Sequence, residues 1–156
     1  MIIAKKEGKL VVKNKISTIK FIGEVVKIND YKLPGPGEFE VGGVLAYGLS
    51  EGGYVLKDDE FGFGYLDGIN KVLDEKRLED LPDVEILFVN FSDDKKMSVT
   101  EKNIKIFDPR ILVAFGDGGK TVANIAMLGR CETIVGVLKL KKSDLPLEGQ
   151  KIYFIK

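Results

Sequence analysis

The segment from Leu33 to Val44 reads LPGPGEFEVGGV, and its glycines flank a short run that alternates acidic and apolar residues. Glycines that fall between such runs indicate strands joined by turns. The apolar run extends from Phe39 to Leu49, where Gly42, Gly43 and Gly48 predict bulges or a close approach of the backbone. This part of the chain is therefore predicted to be β-structure.

Most of the first 66 residues follow the same pattern, with glycine between short β-branched runs. Such runs predict a meander of strands and hairpins. In the run FGFGY, alternation places Phe61, Phe63 and Tyr65 on one face, which we expect to lie in the core; an exposed partner-binding strip is the alternative. The predicted strands are Ile2–Lys5, Leu10–Val12, Ile16–Ile22, Tyr54–Leu56 and Phe61–Leu66.

The second half of the chain is predicted to alternate between helices and strands. The segment NKVLDEKRLEDL, from Asn70 to Leu81, repeats apolar residues on one side of a helix, with Asn70 as its N-cap. Ser98 and Glu101 have the spacing of a capping box and open a second helix that ends before Pro109. Further predicted elements are the strands Val84–Phe91, Ile111–Phe115, Thr133–Leu140 and Lys151–Ile155, and a helix over Thr121–Leu128 that is followed by Gly129.

Composition indicates an ordinary globular protein, and a length of 156 residues predicts one domain over residues 1–156. Lysine and arginine number 24, aspartate and glutamate also 24, so the net charge is zero and we expect neither nucleic acid nor a membrane as a partner. No apolar run approaches the roughly 20 residues that span a bilayer, so a cytoplasmic location is expected. The single cysteine, Cys131, is predicted to be an inert thiol.

The LPGPGEFEVGGV segment resembles the glycine-rich hairpin of a subgroup of metallo-β-lactamase-fold proteins that act as metal-dependent hydrolases. Further stretches resemble the same subgroup in the same order, and the likeness covers most of the chain from Leu33 onward. The resemblance implies two β-sheets packed face to face with helices outside, an αββα sandwich, here shortened and β-rich in its N-terminal half. The matching stretches are LDEKRLEDLPDVEILFV (Leu73 to Val89), DPRILVAF (Asp108 to Phe115) and LKLKKSDLPLEGQKIYFI (Leu138 to Ile155).

The metal ligands of that family are missing from this chain. Active members carry an HxHxDH segment, whereas this chain runs from Ile22 almost directly into the hairpin. The resemblance places the family's later aspartate at Gly68, with Asp67 one residue early, and its late histidine at Gly116. The sequence contains no histidine at all. Since zinc sites depend on cysteine thiolate and histidine nitrogen, we expect no zinc hydrolysis and no cofactor.

Carboxylates alone favour hard ions such as Mg²⁺, Mn²⁺ or Ca²⁺. Asp67, Asp93, Asp94 and Asp117 are candidates to meet at the rim of the former metal site and bind such an ion. The alternative is that these residues are solvated acids on loops.

The segment AFGDGGKT, from Ala114 to Thr121, resembles a phosphate-binding loop between a strand and a helix. Its first position is alanine where the P-loop pattern requires glycine. Backbone N–H groups at a helix N-terminus still favour an anion. A loop rebuilt after the loss of a metal ligand is the alternative. The candidate anion-binding residues are Gly116, Asp117, Gly118, Gly119, Lys120 and Thr121.

The sequence therefore predicts a non-catalytic protein that binds a protein partner or forms a homo-oligomer. Removal of the metal-site segment should uncover apolar surface between the sheets, which either the remaining loops or another chain would cover. Two other functions stay open: anion or nucleotide binding by the loop at residues 114–121, and hydrolysis at a histidine-free site without zinc.

Overall fold

The computed structural model describes residues 1–92, 97–117 and 119–156, without the side chains of residues 119–122. Nine strands precede the first helix, and helices alternate with strands thereafter. The predicted mixed α/β class with a β-rich N-terminal half is confirmed. Within the described ranges no helix is long and apolar enough to cross a membrane.

Six antiparallel strands form the first sheet, in the order β13-β1-β2-β3-β4-β5 when strands are numbered along the chain. The hairpin between β4 and β5 turns at Asn29 and Asp30, both with positive φ, a turn that Asn and Asp tolerate better than other residues. These two strands were not predicted. The strands are β1 Ile2–Lys6, β2 Lys9–Lys13, β3 Thr18–Ile22, β4 Val25–Ile28, β5 Tyr31–Lys32 and β13 Val137–Lys139.

Eight strands form the second sheet, in the order β12-β14-β11-β10-β9-β8-β7-β6. Pairing from β6 to β9 is antiparallel, and pairing from β9 through β10, β11 and β14 to β12 is parallel. The strands are β6 Gly37–Val41, β7 Val44–Gly48, β8 Tyr54–Lys57, β9 Gly62–Leu66, β10 Ile86–Asn90, β11 Ile111–Phe115, β12 Cys131–Ile134 and β14 Lys151–Ile155.

The glycine-rich segment forms the hairpin of β6 and β7. Gly42 and Gly43 make its two-residue turn with φ values of +55° and +77°, which glycine adopts without strain. A side chain at Gly48 would overlap the carbonyl oxygen of Gly35. The predicted close approach of the backbone is therefore confirmed at Gly48.

The two sheets share one apolar core. Strand alternation turns Phe21 of the first sheet and Tyr65 of the second toward each other, and their rings stack with centroids 4.2 Å apart. Phe61, Phe63 and Tyr65 are all fully buried, so the prediction that they share a core face is confirmed and the exposed strip is excluded. Burial on this scale is the main force that holds the sheets together.

The helices pack on the other face of the second sheet. Ile104 and Ile125 belong to a second apolar cluster that also contains Leu87 and Leu112. The outward side chains of the first sheet are instead mostly exposed or half-buried. The helices are α1 Glu75–Leu78, α2 Met97–Phe107 and α3 Gly119–Ala126.

The helix predicted over Asn70–Leu81 is mostly wrong, because only Glu75–Leu78 is helical and Asp74 is its N-cap. The Asn103 side-chain amide accepts a hydrogen bond from the Leu73 N–H at 2.9 Å and donates to the Lys71 carbonyl oxygen at 3.1 Å. These bonds hold residues 71 to 73 outside the helix. A side chain distant in sequence therefore replaced the local helical hydrogen bonds.

The strand predicted over Thr133–Leu140 is wrong as a single element. Cys131–Ile134 pairs in the second sheet and Val137–Lys139 in the first. The chain crosses between the sheets through Val135 and Gly136, where Gly136 has a φ of +96°. The helix predicted from the Ser98 and Glu101 spacing does end before Pro109, but Ser98 lies within α2, after Met97.

Candidate functional site

The carboxyl ends of the parallel strands β9, β10 and β11 meet at one edge of the second sheet, where ligands of open α/β sheets usually bind. Asp67 follows β9, Asn90 ends β10, and Gly116 and Asp117 follow β11. This edge also holds the positions at which the family resemblance places metal ligands.

Asp67 is held by neighbouring side chains. Its carboxylate oxygen Oδ2 accepts a hydrogen bond from Asn90 Nδ2 at 3.1 Å and lies 3.2 Å from the Tyr65 hydroxyl oxygen. The Tyr65 hydroxyl group also donates to the Gly23 carbonyl oxygen at 2.5 Å. Tyr65 therefore joins the β3–β4 turn of the first sheet to the edge of the second.

Tyr65 is fixed as a neutral donor. Its ring stacks between Phe21 and Phe115, with centroid distances of 4.2 Å and 6.1 Å. Burial raises the pKa of the Tyr65 hydroxyl far above its ordinary value, and the charges of Asp67 and Glu24 raise it further. Tyr65 can therefore donate a hydrogen bond but cannot serve as a base near neutral pH.

Glu24 lies over the position that the resemblance assigns to a metal-binding aspartate. A side chain added at Gly68 would overlap the Glu24 carboxylate. Gly68 also has a φ of +69°, which disfavours other residues. An aspartate at this position could adopt this φ, as Asp30 does, but it would displace the Glu24 side chain.

Lys5 crosses between the sheets to the position assigned to the late histidine. Its ammonium nitrogen lies 3.0 Å from the Gly116 carbonyl oxygen and 2.5 Å from Asp117 Oδ1. The Lys5 side chain is 17% exposed, whereas that of Asp117 is 79% exposed. A side-chain cation thus lies at the edge of the sheet where the family holds a metal.

Lys5 was not among the predicted site residues, because it lies before Leu33, where the family resemblance begins. The available signal was the alternation in IIAKK, which places Lys5 on the same side of β1 as the core residue Ile3. A lysine on the core-facing side of a strand needs a polar partner, because its charge is costly to remove from water without one. Tyr65, Asn90 and Glu24 were likewise not singled out as residues of this edge.

The loop after β11 leads into helix α3, so the predicted order of strand, loop and helix is confirmed. The Gly116 carbonyl and the Asp117 carboxylate both contact the Lys5 ammonium group. The Asp117 N–H donates to Ser92 Oγ at 2.9 Å. Gly118 and the side chains of Lys120 and Thr121 lie outside the described part of the structure, while Gly119 begins α3. Anion binding by this loop stays a prediction, and the Asp117 charge opposes it.

A zinc ion does not fit the donor set of this edge. In the ranges that the structure describes, no three His, Cys, Asp or Glu residues are grouped to hold a metal. Asp67 and Asp117 each contact donors of the protein itself, and Asp93 and Asp94 lie outside the described residues. Cys131 pairs with Ile152, which in turn pairs with Leu112 of β11. Cys131 therefore lies near the amino end of β11, away from this edge. Burial and the Glu132 charge raise the pKa of the Cys131 thiol.

A cavity of about 190 Å³ lies between this edge and α2. It is smaller than the roughly 300 to 1,000 Å³ of typical ligand pockets. Its size suits water or a small polar molecule. Its polar lining residues are Asp67, Asn90, Ser92, Thr100 and Asn103.

Comparison with known proteins relates this architecture to a solved structure. No protein-family model matches the sequence, and a search of curated proteins found no match. The structure is similar to that of a Thermotoga maritima protein described as a candidate Zn-dependent hydrolase of the metallo-β-lactamase superfamily. The TM-score is 0.74 at 12% sequence identity, and the match covers all of both chains. The chain therefore has the metallo-β-lactamase fold.

Proposed function

We propose that this chain is a shortened relative of the αββα sandwich, with helices on the second sheet alone, that has lost zinc hydrolysis and acts by binding a protein partner or a second copy of itself. The contact between the Lys5 ammonium group and the Gly116 carbonyl oxygen carries this proposal. A cation fixed at 3.0 Å from that oxygen stabilises the edge in place of a metal ion, and its charge repels one.

The Glu24 carboxylate at Gly68 supports the same conclusion independently. An aspartate at Gly68 would need a different position of the Glu24 side chain from the one present. Asp67 lies one residue before Gly68. Its carboxylate accepts a hydrogen bond from Asn90 and contacts the Tyr65 hydroxyl group. A hydrogen bond within the protein therefore occupies one oxygen of Asp67.

Self-association is proposed at the edge of β13 rather than between the sheets. Leu33, in the segment between β5 and β6, is buried in the inter-sheet core, so a loop of this chain already covers part of that core. Strands β12 and β13 are both sheet edges, and the crossing between them exposes 81% of Val135 and 50% of Val137. The unpaired backbone groups of an edge strand are a template for pairing with another chain, and these two valines add apolar surface beside it. Edge pairing of two copies would form a symmetric dimer.

Native mass spectrometry with metal analysis of the same sample tests both parts of the proposal. We expect a metal-free dimer at micromolar concentration and no hydrolysis of lactam, thioester or phosphodiester substrates after addition of zinc. The double variant Val135→Asp, Val137→Asp should be a monomer, whereas Leu147→Asp, a change at another exposed apolar residue, should leave the dimer intact.

The two parts of the proposal fail in different ways. A stoichiometric metal ion, or hydrolysis that depends on added zinc, would contradict the non-catalytic role. A monomeric wild-type chain would contradict self-association and leave binding to a different protein.

A further inference from the structure

The register of the first sheet defines which side chains form its outer face. Inward residues such as Ile3, Val12 and Phe21 are fully buried in the core. Their neighbours along each strand point outward, and strand pairing aligns these outward residues across the sheet. The result is a flat face whose composition can be read residue by residue.

Lysine dominates this outer face, which we call the lysine face. At the outward positions of the six described strands, no acidic residue occurs. The other outward residues are small, aliphatic or hydroxyl-bearing, such as Ala4, Val11 and Thr18. The lysines of the face are Lys6, Lys9, Lys13, Lys20, Lys27, Lys32 and Lys139.

Several of these lysines are direct cross-strand neighbours. Lys20 pairs with Lys27, Lys27 with Lys32, and Lys6 with Lys9. Like charges directly opposite each other destabilise a sheet. Asp30, in the β4–β5 turn, offsets part of this repulsion by accepting a hydrogen bond from Lys20 at 2.8 Å, and the Lys20 contact lowers the pKa of the Asp30 carboxyl. The remaining repulsion would be relieved by an anionic partner.

Charge that is balanced over the whole sequence is also separated along the chain. Residues 1–32 contain eight lysines and three acidic residues, a net charge of +5, so residues 33–156 carry −5. The expectation that nucleic acid is not a partner was based on total charge. A segregated surface creates a local field that total charge does not describe.

Five of the lysines form a track of two offset rows across the sheet, with Lys139 and Lys13 on either side of Ile2 in one row and the other three in the next outward row. Lys139, Lys13, Lys20, Lys27 and Lys32 lie on β13, β2, β3, β4 and β5 in spatial order. At about 4.8 Å between neighbouring strands, the track is about 24 Å long. The phosphates of one nucleic-acid strand follow each other at about 3.4 Å along the helix axis, so the track spans about seven of them.

We propose that the lysine face binds the phosphate backbone of a nucleic acid without contacting its bases. The inference goes beyond the protein-binding and self-association role proposed above and stands independently of it. Outward positions of the six strands carry neither arginine nor aromatic residues, so bidentate base contacts and stacking are not provided. An anionic membrane is less suited, because Val11, Ile22 and Val25 are half-buried and lack protruding aromatic anchors.

Fluorescence anisotropy with a 30-base-pair duplex DNA, the matching duplex RNA and a single strand tests this proposal between 25 and 200 mM NaCl. We expect sequence-independent binding that weakens with salt. The triple variant Lys20→Gln, Lys27→Gln, Lys32→Gln should bind at least tenfold more weakly at 100 mM NaCl. Its log–log salt slope should be shallower by up to about 2.7, at about 0.9 per lost phosphate contact.

The control variant Lys76→Gln, Lys102→Gln, Lys105→Gln removes the same charge from exposed lysines elsewhere and should bind within twofold of wild type. Thermal melting should show that the lysine-face variant is folded and at least as stable as wild type, since like-charge pairs are removed. Equal losses in both variants, no binding at 25 mM NaCl, or binding only to phosphatidylserine vesicles would each overturn the proposal. None of these outcomes affects the test for metal and hydrolysis.

Discussion

The Lys5 ammonium nitrogen lies 3.0 Å from the Gly116 carbonyl oxygen, so a side chain of the first sheet reaches the carboxyl end of β11 in the second. Lys5 occupies the last inward position of β1, beyond the apolar core. Its aliphatic stem packs against the inter-sheet region while its charge meets a carbonyl and a carboxylate. Through this contact the candidate site links the two sheets.

Replacement of Lys5 by methionine tests how much this contact contributes to the free energy of unfolding. Lys5→Met should lower the free energy of unfolding by about 1 kcal/mol, because it removes a charge-assisted hydrogen bond whose ion-pair partner is largely exposed. The exposed strand lysine Lys57 is the control, and Lys57→Met should change the value by less than about 0.5 kcal/mol. Urea titrations measure both, and equal effects would show that Lys5 has no special role.

Asp58 organises the turn between β8 and β9. This buried carboxylate accepts hydrogen bonds from the Glu60 and Phe61 N–H groups and from Asn14 Nδ2, at 2.8, 2.7 and 2.9 Å. Asp58→Ala should reduce stability by about 2 to 3 kcal/mol, because the donors lose a charged acceptor. Asp59→Ala, at the exposed neighbour, should be near neutral. Thermal or urea unfolding of the two variants provides the comparison.

Tyr65 predicts a specific loss of stability at high pH. Burial raises its folded-state pKa, so between pH 10 and 12 the folded chain keeps a proton that the unfolded chain releases. The stabilisation is therefore complete below the unfolded pKa of about 10 and falls by about 1.4 kcal/mol per pH unit above it.

Tyr65→Phe isolates this contribution. The variant should be less stable than wild type by about 0.5 to 1.5 kcal/mol at pH 7, because the bond to the Gly23 carbonyl is lost. The difference should shrink and then reverse as pH rises from 10 to 12 in urea titrations. Parallel pH profiles for the two proteins would contradict the assignment.

Gly48 tests the close approach within the glycine-rich hairpin. Gly48→Ala should destabilise the protein by about 2 kcal/mol or more, because the added carbon overlaps the Gly35 carbonyl oxygen of the backbone. Gly136→Ala is the control: its φ of +96° strains alanine, but no atom lies within 4 Å. We expect the control to cost about 1 kcal/mol in chemical denaturation. A smaller effect at Gly48 than at Gly136 would show that the hairpin relaxes.

Local patterns in the sequence were sufficient for much of the fold. Alternation in FGFGY predicted the buried face of β9, and the apolar run from Ile111 to Phe115 predicted β11 with its exact bounds. The family resemblance of the segment from Leu33 to Val44 predicted the hairpin that turns at Gly42 and Gly43. These predictions hold because strand period and turn conformation depend on residues that are neighbours in the chain. The absence of histidine likewise follows from composition alone.

Only the tertiary structure decided the features that join distant residues. Asn103 binds the backbone at Lys71 and Leu73 and thereby limits the predicted helix, and the run after Cys131 divides between two sheets. Lys5 meets Gly116 across 111 positions of sequence. Charge is the clearest case: the sequence determined that lysines and acids balance, but strand register collected seven lysines on one face. Residue counts are fixed by the chain, whereas the field at a surface depends on which side chains the fold places side by side.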